Sequence, residues 1–144
     1  VDINKYAGKW FEIAKLPNRF QKNCDCATAQ YSLLPNGNIE VLNTCVKPDG
    51  SIKDIKGKAR AVSPMKDKLE VSFFPLIWGD YWILELDKDY QYVLVGEPSR
   101  KYLWILSRTE QIDDAVYQRL IAKAKSLGFP VDKLEKSARN CIKN

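Results

Sequence analysis

Eight short segments of strand character, set apart by turn signals, precede a single stretch of helical period, and this order leaves the chain few architectures. Residues 8–16, with Trp10, Phe11 and Ile13, form the first segment, and Pro17 ends it. Residues 24–34 resume strand character around Ala29, Tyr31 and Leu33. Asn36-Gly37, two residues that tolerate positive φ, predicts a tight hairpin. Beyond it Ile39, Val41, Asn43 and Cys45 face one way, and Glu40, Leu42 and Thr44 the other. Pro48-Asp49-Gly50 turns the chain again, and residues 52–62 read as a polar strand. Residues 69–73, 81–86, 91–96 and 102–107 complete the set, with residues 74–79 as an apolar loop between two of them. Such a series predicts an antiparallel sandwich or barrel.

The period changes after Arg108. Asp113 is a fitting N-cap, and Val116, Leu120, Ala124 and Leu127 fall on one helical face. Gly128 and Pro130 stop the helix. Its apolar stripe has to lie on the outside of the sheet.

The 144 residues fit one domain, 1–144, without linker or repeat. A formal charge of +5 is dispersed, with no basic run to follow a nucleic acid. Histidine is absent, which excludes Ser-His and Cys-His nucleophiles and the usual ligand of haem and many metals. No metal or cofactor is expected. Cys24, Cys26, Cys45 and Cys141 lack the paired C-x-x-C spacing of a zinc site and predict two disulfides in an oxidising compartment. A two-residue turn at Asn36-Gly37 would set Cys45 opposite Thr28, nearer Cys26 than Cys24, so spacing leaves the pairing open.

Three strings then point to one family. Gly8-Lys9-Trp10-Phe11-Glu12-Ile13 resembles the G-x-W motif of the lipocalins. Leu86-Asp87-Lys88-Asp89-Tyr90 is similar to their second motif, with Leu86 where Thr is usual. Leu103-Trp104-Ile105-Leu106-Ser107-Arg108 resembles the third, ending in its arginine before the helix. The likeness is nearest to the branch of apolipoprotein D and the bacterial outer-membrane lipocalins, which Asp2-Ile3-Asn4-Lys5-Tyr6 and Tyr81-Trp82-Ile83-Leu84 also fit.

The resemblance implies an all-β, eight-stranded antiparallel up-and-down barrel with one C-terminal α-helix packed outside. The barrel would close at Trp10 and open where residues 17–23, 47–51, 74–80 and 97–101 ring it. Gly8, Trp10, Asp87, Tyr90 and Arg108 become structural, with Arg108 stacked on Trp10. Tyr31, Asn43, Phe73, Trp82 and Trp104 become the lining of a ligand cavity, with Lys47 at its rim. Strand parity independently puts Trp104 on one face with Leu106 and Arg108. The implied disulfides are Cys24–Cys45 and Cys26–Cys141. The expected function is binding and transport or storage of a fatty acid or lysophospholipid, without catalysis. Residues 74–79 would serve as a lip toward a membrane surface, and the location would be secreted, periplasmic or outer-membrane associated. The alternatives are a lipocalin-fold enzyme acting on its bound lipid and a module that recognises proteins through its loops.

Overall fold

The computed structural model describes residues 1–18, 24–74 and 77–137. A short helix α1 (Ile3–Tyr6) precedes strands β1 (Gly8–Lys15), β2 (Cys26–Leu33), β3 (Ile39–Val46), β4 (Ile52–Ala61), β5 (Lys68–Phe74), β6 (Ile77–Leu86), β7 (Tyr92–Gly96) and β8 (Leu103–Ser107). Helix α2 (Asp114–Ser126), a 3-10 turn at Val131–Lys133 and a short strand β9 (Glu135–Lys136) follow. Each of the eight long strands pairs antiparallel with the next, and β8 returns to β1 while β1 also pairs β2. The sheet is therefore a closed up-and-down barrel. Strand β9 adds to β1 alone, opposite Ala14 and Lys15.

The β1–β2 ladder covers only Gly8 to Phe11 against Tyr31 to Thr28. Above that point β1 bulges between Glu12 and Ala14, pairs β8 on one side and takes β9 on the other. Two cores result. Inside the barrel Trp10, Tyr31, Val41, Ala59, Leu69, Tyr81 and Leu106 pack with Tyr6 of α1. Outside, Ile13, Leu94, Leu103 and Ile105 pack under Tyr117, Leu120 and Ala124 of α2.

Helix α2 has good helix formers, Asp114 in its first turn and Lys123 and Lys125 in its last, all favourable to the helix dipole. Asp113 holds the N-cap place through its carbonyl, which accepts from the Tyr117 N–H at 2.9 Å, and not through its side chain. Gly128 leaves the helix at φ +91°, and the Arg100 Nε donates to the Leu127 carbonyl at 2.8 Å.

Three details differ from the sequence expectation. The Asn36-Gly37 hairpin is longer than two residues: Leu33 pairs Ile39, and Cys45 stands opposite Ala27. Leu34 N–H donates to the Asn38 carbonyl, so five residues make the turn. The expected apolar loop 74–79 is mostly strand, since β6 already begins at Ile77 and Phe74 pairs with it. The N-terminal helix α1 was not anticipated, because four residues carry no period to read.

One side chain fastens the closed end. The Arg108 guanidinium lies 3.8 Å from the Trp10 ring centre. Its Nε donates to the Tyr90 carbonyl at 3.1 Å and its Nη1 to Lys9 O at 3.0 Å. Its Nη2 donates to Lys5 O at 2.8 Å and Tyr6 O at 3.1 Å. A Cβ on Gly8 would stand 3.3 Å from Nη1, and the φ of +102° there suits glycine. Asp87 accepts from the Gln91 N–H at 3.1 Å, and the Tyr90 hydroxyl accepts from Asp2 N–H at 2.9 Å, completing this end. Removing the clamp leaves four carbonyls and one indole face without their cation. Arg108→Ala is expected to lower the unfolding free energy by about 3 kcal/mol. Arg108→Lys should recover only a minor part, because an ammonium cannot fork to several acceptors. Urea denaturation measures both; equal stability of Arg108→Lys and the native chain would contradict the geometric argument.

Candidate functional site

Strand alternation decides what faces the bore. On β2 the inward positions are Tyr31 and, one step toward the open end, Ala29. On β3 they are Ile39, Val41 and then Asn43, which pairs Ala29 and Ile55. On β5 they are Leu69, Val71 and Phe73, and on β8 Leu106 and Trp104. On β6 the inward residue is Tyr81, not Trp82.

Trp82 corrects the expectation taken from the resemblance. It sits on the outer face, half-buried, with the Lys68 Nζ 4.5 Å from its ring centre. Its neighbours Tyr81 and Ile83 both belong to the inner core, while Leu84 packs with the outer one. Tyr31, Asn43, Phe73 and Trp104 share the interior; Lys47 is half-buried in the turn between β3 and β4 at the open end.

The lower bore is filled. Trp10 is fully buried and its Nε1 donates to the Tyr6 carbonyl at 2.8 Å. The Tyr6 ring lies 5.1 Å from Trp10 and 5.5 Å from Tyr31, centre to centre. Its hydroxyl meets that of Tyr81 at 2.5 Å, and the Tyr31 hydroxyl meets the same Tyr81 oxygen at 2.9 Å. Strands β2 and β6 lie on opposite walls, with three strands between them either way round the ring. Tyr31 and Tyr81 therefore form a crossbar through the bore, supported from below by Tyr6. Sequence reading missed Tyr6 and Tyr81. The parity of β6 could not reveal Tyr81, because both faces of that strand are apolar.

Above the crossbar the lining becomes small or retains contact with solvent. Ala29 stands over Tyr31 and Gly79 over Tyr81. Among the described residues, a Cβ built on Gly79 would meet, within 4 Å, only the Val71 carbonyl oxygen at 3.9 Å. Phe73 is drawn to the wall instead, for a Cβ on Gly57 would stand 2.6 Å from its Cδ1. Ile55 faces the same way as Asn43 and is 37% exposed, and Asn43, Phe73 and Trp104 are only half-buried. Among the described residues this leaves a hollow open at the top. From Tyr31 to Cys26 its wall rises about 12 Å at ordinary strand rise and barrel tilt.

Two ionisable side chains also face inward. Glu12, opposite Leu106, is 8% exposed, and Lys15, opposite Trp104, is 9% exposed. The Lys15 ammonium donates to the Cys24 carbonyl at 3.4 Å. Cys24 is joined to Cys45, their Cα atoms 5.6 Å apart, which pins the lead into β2 against β3 at the rim. Cys26 is not a free thiol, and Cys141 lies outside the described residues, as do residues 19–23 of the expected rim. Among the described residues no cluster of His, Cys, Asp or Glu could hold a metal.

Burial dominates the ionisation of the crossbar. It raises the Tyr31 hydroxyl from 10.0 to about 12, against the hydrogen bond from Tyr81, with the Glu12 carboxylate adding to the rise. Burial likewise holds Tyr6 and Tyr81 well above the ordinary value, with the neighbouring Tyr31 contributing to both. A raised phenol pKa means the native state keeps protons that the unfolded state releases. This contribution to stability is intact below the ordinary 10.0 and is lost as pH rises from there through about 12. At about pH 11, Tyr6, Tyr31 and Tyr81 are expected to stay un-ionised until the protein unfolds. Phenolate absorbance, read before and after adding denaturant at that pH, checks this; ionisation of all seven tyrosines in the folded state would refute it.

Residues 1–139 match the lipocalin-like domain. Temperature-induced lipocalin-1 of Arabidopsis thaliana is 43% identical, over 97% of this chain and 80% of its own. Outer membrane lipoprotein Blc of Citrobacter freundii is 42% identical over 92% of this chain and 76% of its own. Apolipoprotein D of Mus musculus is 38% identical, over 92% and 74% respectively. The crystal structure of lobster apocrustacyanin A1, at 21% identity, superposes with a TM-score of 0.76 over 95% of this chain and 79% of that one, which shows a shared fold. With its closed barrel, outer helix and these matches, the chain belongs to the lipocalin family, a family of binding proteins rather than enzymes.

Proposed function

We propose that this chain carries or stores a small amphiphile, a fatty acid or lysophospholipid, with its apolar part in the hollow above Tyr31 and Tyr81. The observation that supports this most is the space that the described residues leave free at Gly79, inside a barrel whose lower half is otherwise filled. Phe73 and Trp104 would flank the guest, and Asn43 would offer it an amide. Lys47, at the mouth, would meet a carboxylate or phosphate head. The likeness to Blc and to apolipoprotein D supports a lipid-like guest.

Loading from a membrane surface is the second part of the proposal. The β5–β6 hairpin stands at the open end, and Trp78 on its outer face lies under the Arg60 guanidinium, 3.9 Å from the ring centre. An amphipathic ring beside a cation suits a membrane interface. The Cys24–Cys45 disulfide fits a secreted, periplasmic or outer-membrane location, all of them oxidising.

Delipidated protein titrated with a fatty acid and a lysophospholipid tests the carrier reading through tryptophan emission. Saturable change is expected. It should vanish in Trp104→Phe, whose ring borders the hollow, and persist in Trp82→Phe, whose ring is outside. Gly79→Leu should weaken binding roughly tenfold or more by occupying the guest's space. The reading is refuted if no amphiphile gives a saturable response.

A further inference from the structure

The hollow does not end on hydrocarbon. It ends on a row of three hydroxyls, and any guest that descends the bore stops there, because Tyr31 and Tyr81 meet from opposite walls. The row contains three O–H protons. Two of them serve the bonds Tyr6–Tyr81 and Tyr31–Tyr81, so one donor and several lone pairs remain for a further partner. Tyr6 is 2% exposed, whereas Tyr31 and Tyr81 each retain 8%. The two hydroxyl-bearing rings that border the free space are thus those under Ala29 and Gly79. A bare methyl end set against them would shield polar atoms from water and return no hydrogen bond.

We propose that the hollow selects amphiphiles whose buried end carries oxygen, a hydroxyl or carbonyl group that hydrogen-bonds to Tyr81 and Tyr31, over amphiphiles that end in plain alkyl. This rests on the carrier reading and narrows it to a class of ligand. The phenols are suited to the role because they both donate and accept, so an alcohol and a ketone are served by the same pair. The distance of about 12 Å from the crossbar to the rim favours a short or medium chain, or the width of a small ring system, with its second polar group at the mouth.

The test compares decanoic acid with ω-hydroxydecanoic acid, equal in chain length and differing at the buried end. Binding of each to the delipidated protein is measured by calorimetry. In an apolar-ended pocket the hydroxylated acid would bind more weakly, since it gives up water and gains nothing. Here it is expected to bind about tenfold more tightly. Tyr81→Phe should abolish that preference, bringing the ratio of the two affinities to about one, whereas mere loosening of the fold would weaken both acids alike and keep the ratio. Tyr31→Phe serves the same purpose should the first variant fail to fold. Equal binding of the two acids, tighter binding of decanoic acid, or a preference unchanged in the phenylalanine variants overturns the proposal and leaves the carrier reading intact. Failure of both acids and of a lysophospholipid to bind overturns the two together.

Discussion

A single guanidinium organises the closed end of this barrel, and the arrangement of the bore follows from it. Four main-chain carbonyls converge there from α1, from the start of β1 and from the turn before β7. Lys5 and Tyr6 lie in α1, Tyr90 lies in a turn, and Lys9 lies in β1 below the point where β1 begins to pair β8, so a donor has to be supplied from elsewhere. Arg108 supplies it with planar geometry, which also lets the cation lie flat on Trp10. The Tyr6 carbonyl takes donors from both Arg108 and the Trp10 indole. With its backbone held on that side, the Tyr6 side chain is directed into the bore, where its hydroxyl meets Tyr81.

From Tyr6 upward the bore changes character within one residue step. Tyr31 and Tyr81 are long enough to meet in the middle, and the positions over them are Ala29 and Gly79, which are too short to reach across the bore. A barrel of eight strands is just wide enough for side chains to fill, so whether it is solid or hollow depends on such choices. Gly57 acts in the same direction by letting Phe73 lie on the wall. The hollow is thus produced by three small residues rather than by any special curvature of the sheet. The same small residues leave the phenol oxygens, and not a methyl surface, as its base.

Much of this is legible in the sequence. Strand number, helix position and the Cys24–Cys45 bridge follow from turn residues, periodicity and motif likeness, which are local features. Orientation within β6 was not. Tyr81, Trp82, Ile83 and Leu84 are apolar on both faces, because the outer face of this strand is itself covered, Leu84 beside the α2 core and Trp82 by the Lys68 stem. With both faces covered, alternation of polarity carries no information. The register of the first hairpin was missed for a different reason. Asn36-Gly37 does turn the chain, with Gly37 at φ +87°, but it sits inside a five-residue loop closed by Leu34 and Asn38. Trp104 was readable by its parity with Leu106 and with the Arg108 that ends the third motif, not by polarity, since β8 too is apolar on both faces. The crossbar depends on a contact between residues fifty positions apart, and no local pattern encodes that.

The two ends of the barrel solve opposite problems by different chemistry. At the closed end what needs help is a set of carbonyls at and just beyond the strand ends, so a cation suffices. At the open end pairing itself fails, because β1 turns away from β2 after Phe11 and gives its upper edge to β9. Among the described residues, the chain leading into β2 then has no partner strand on that side. It is held instead by the bond from Lys15 to the Cys24 carbonyl, by the Asp25 N–H to Val46 O and by the disulfide from Cys24 to β3. A covalent tie works at a wet rim where a lone hydrogen bond competes with water. Fixing the rim in this way holds the lead into β2 in place without closing the β1–β2 ladder.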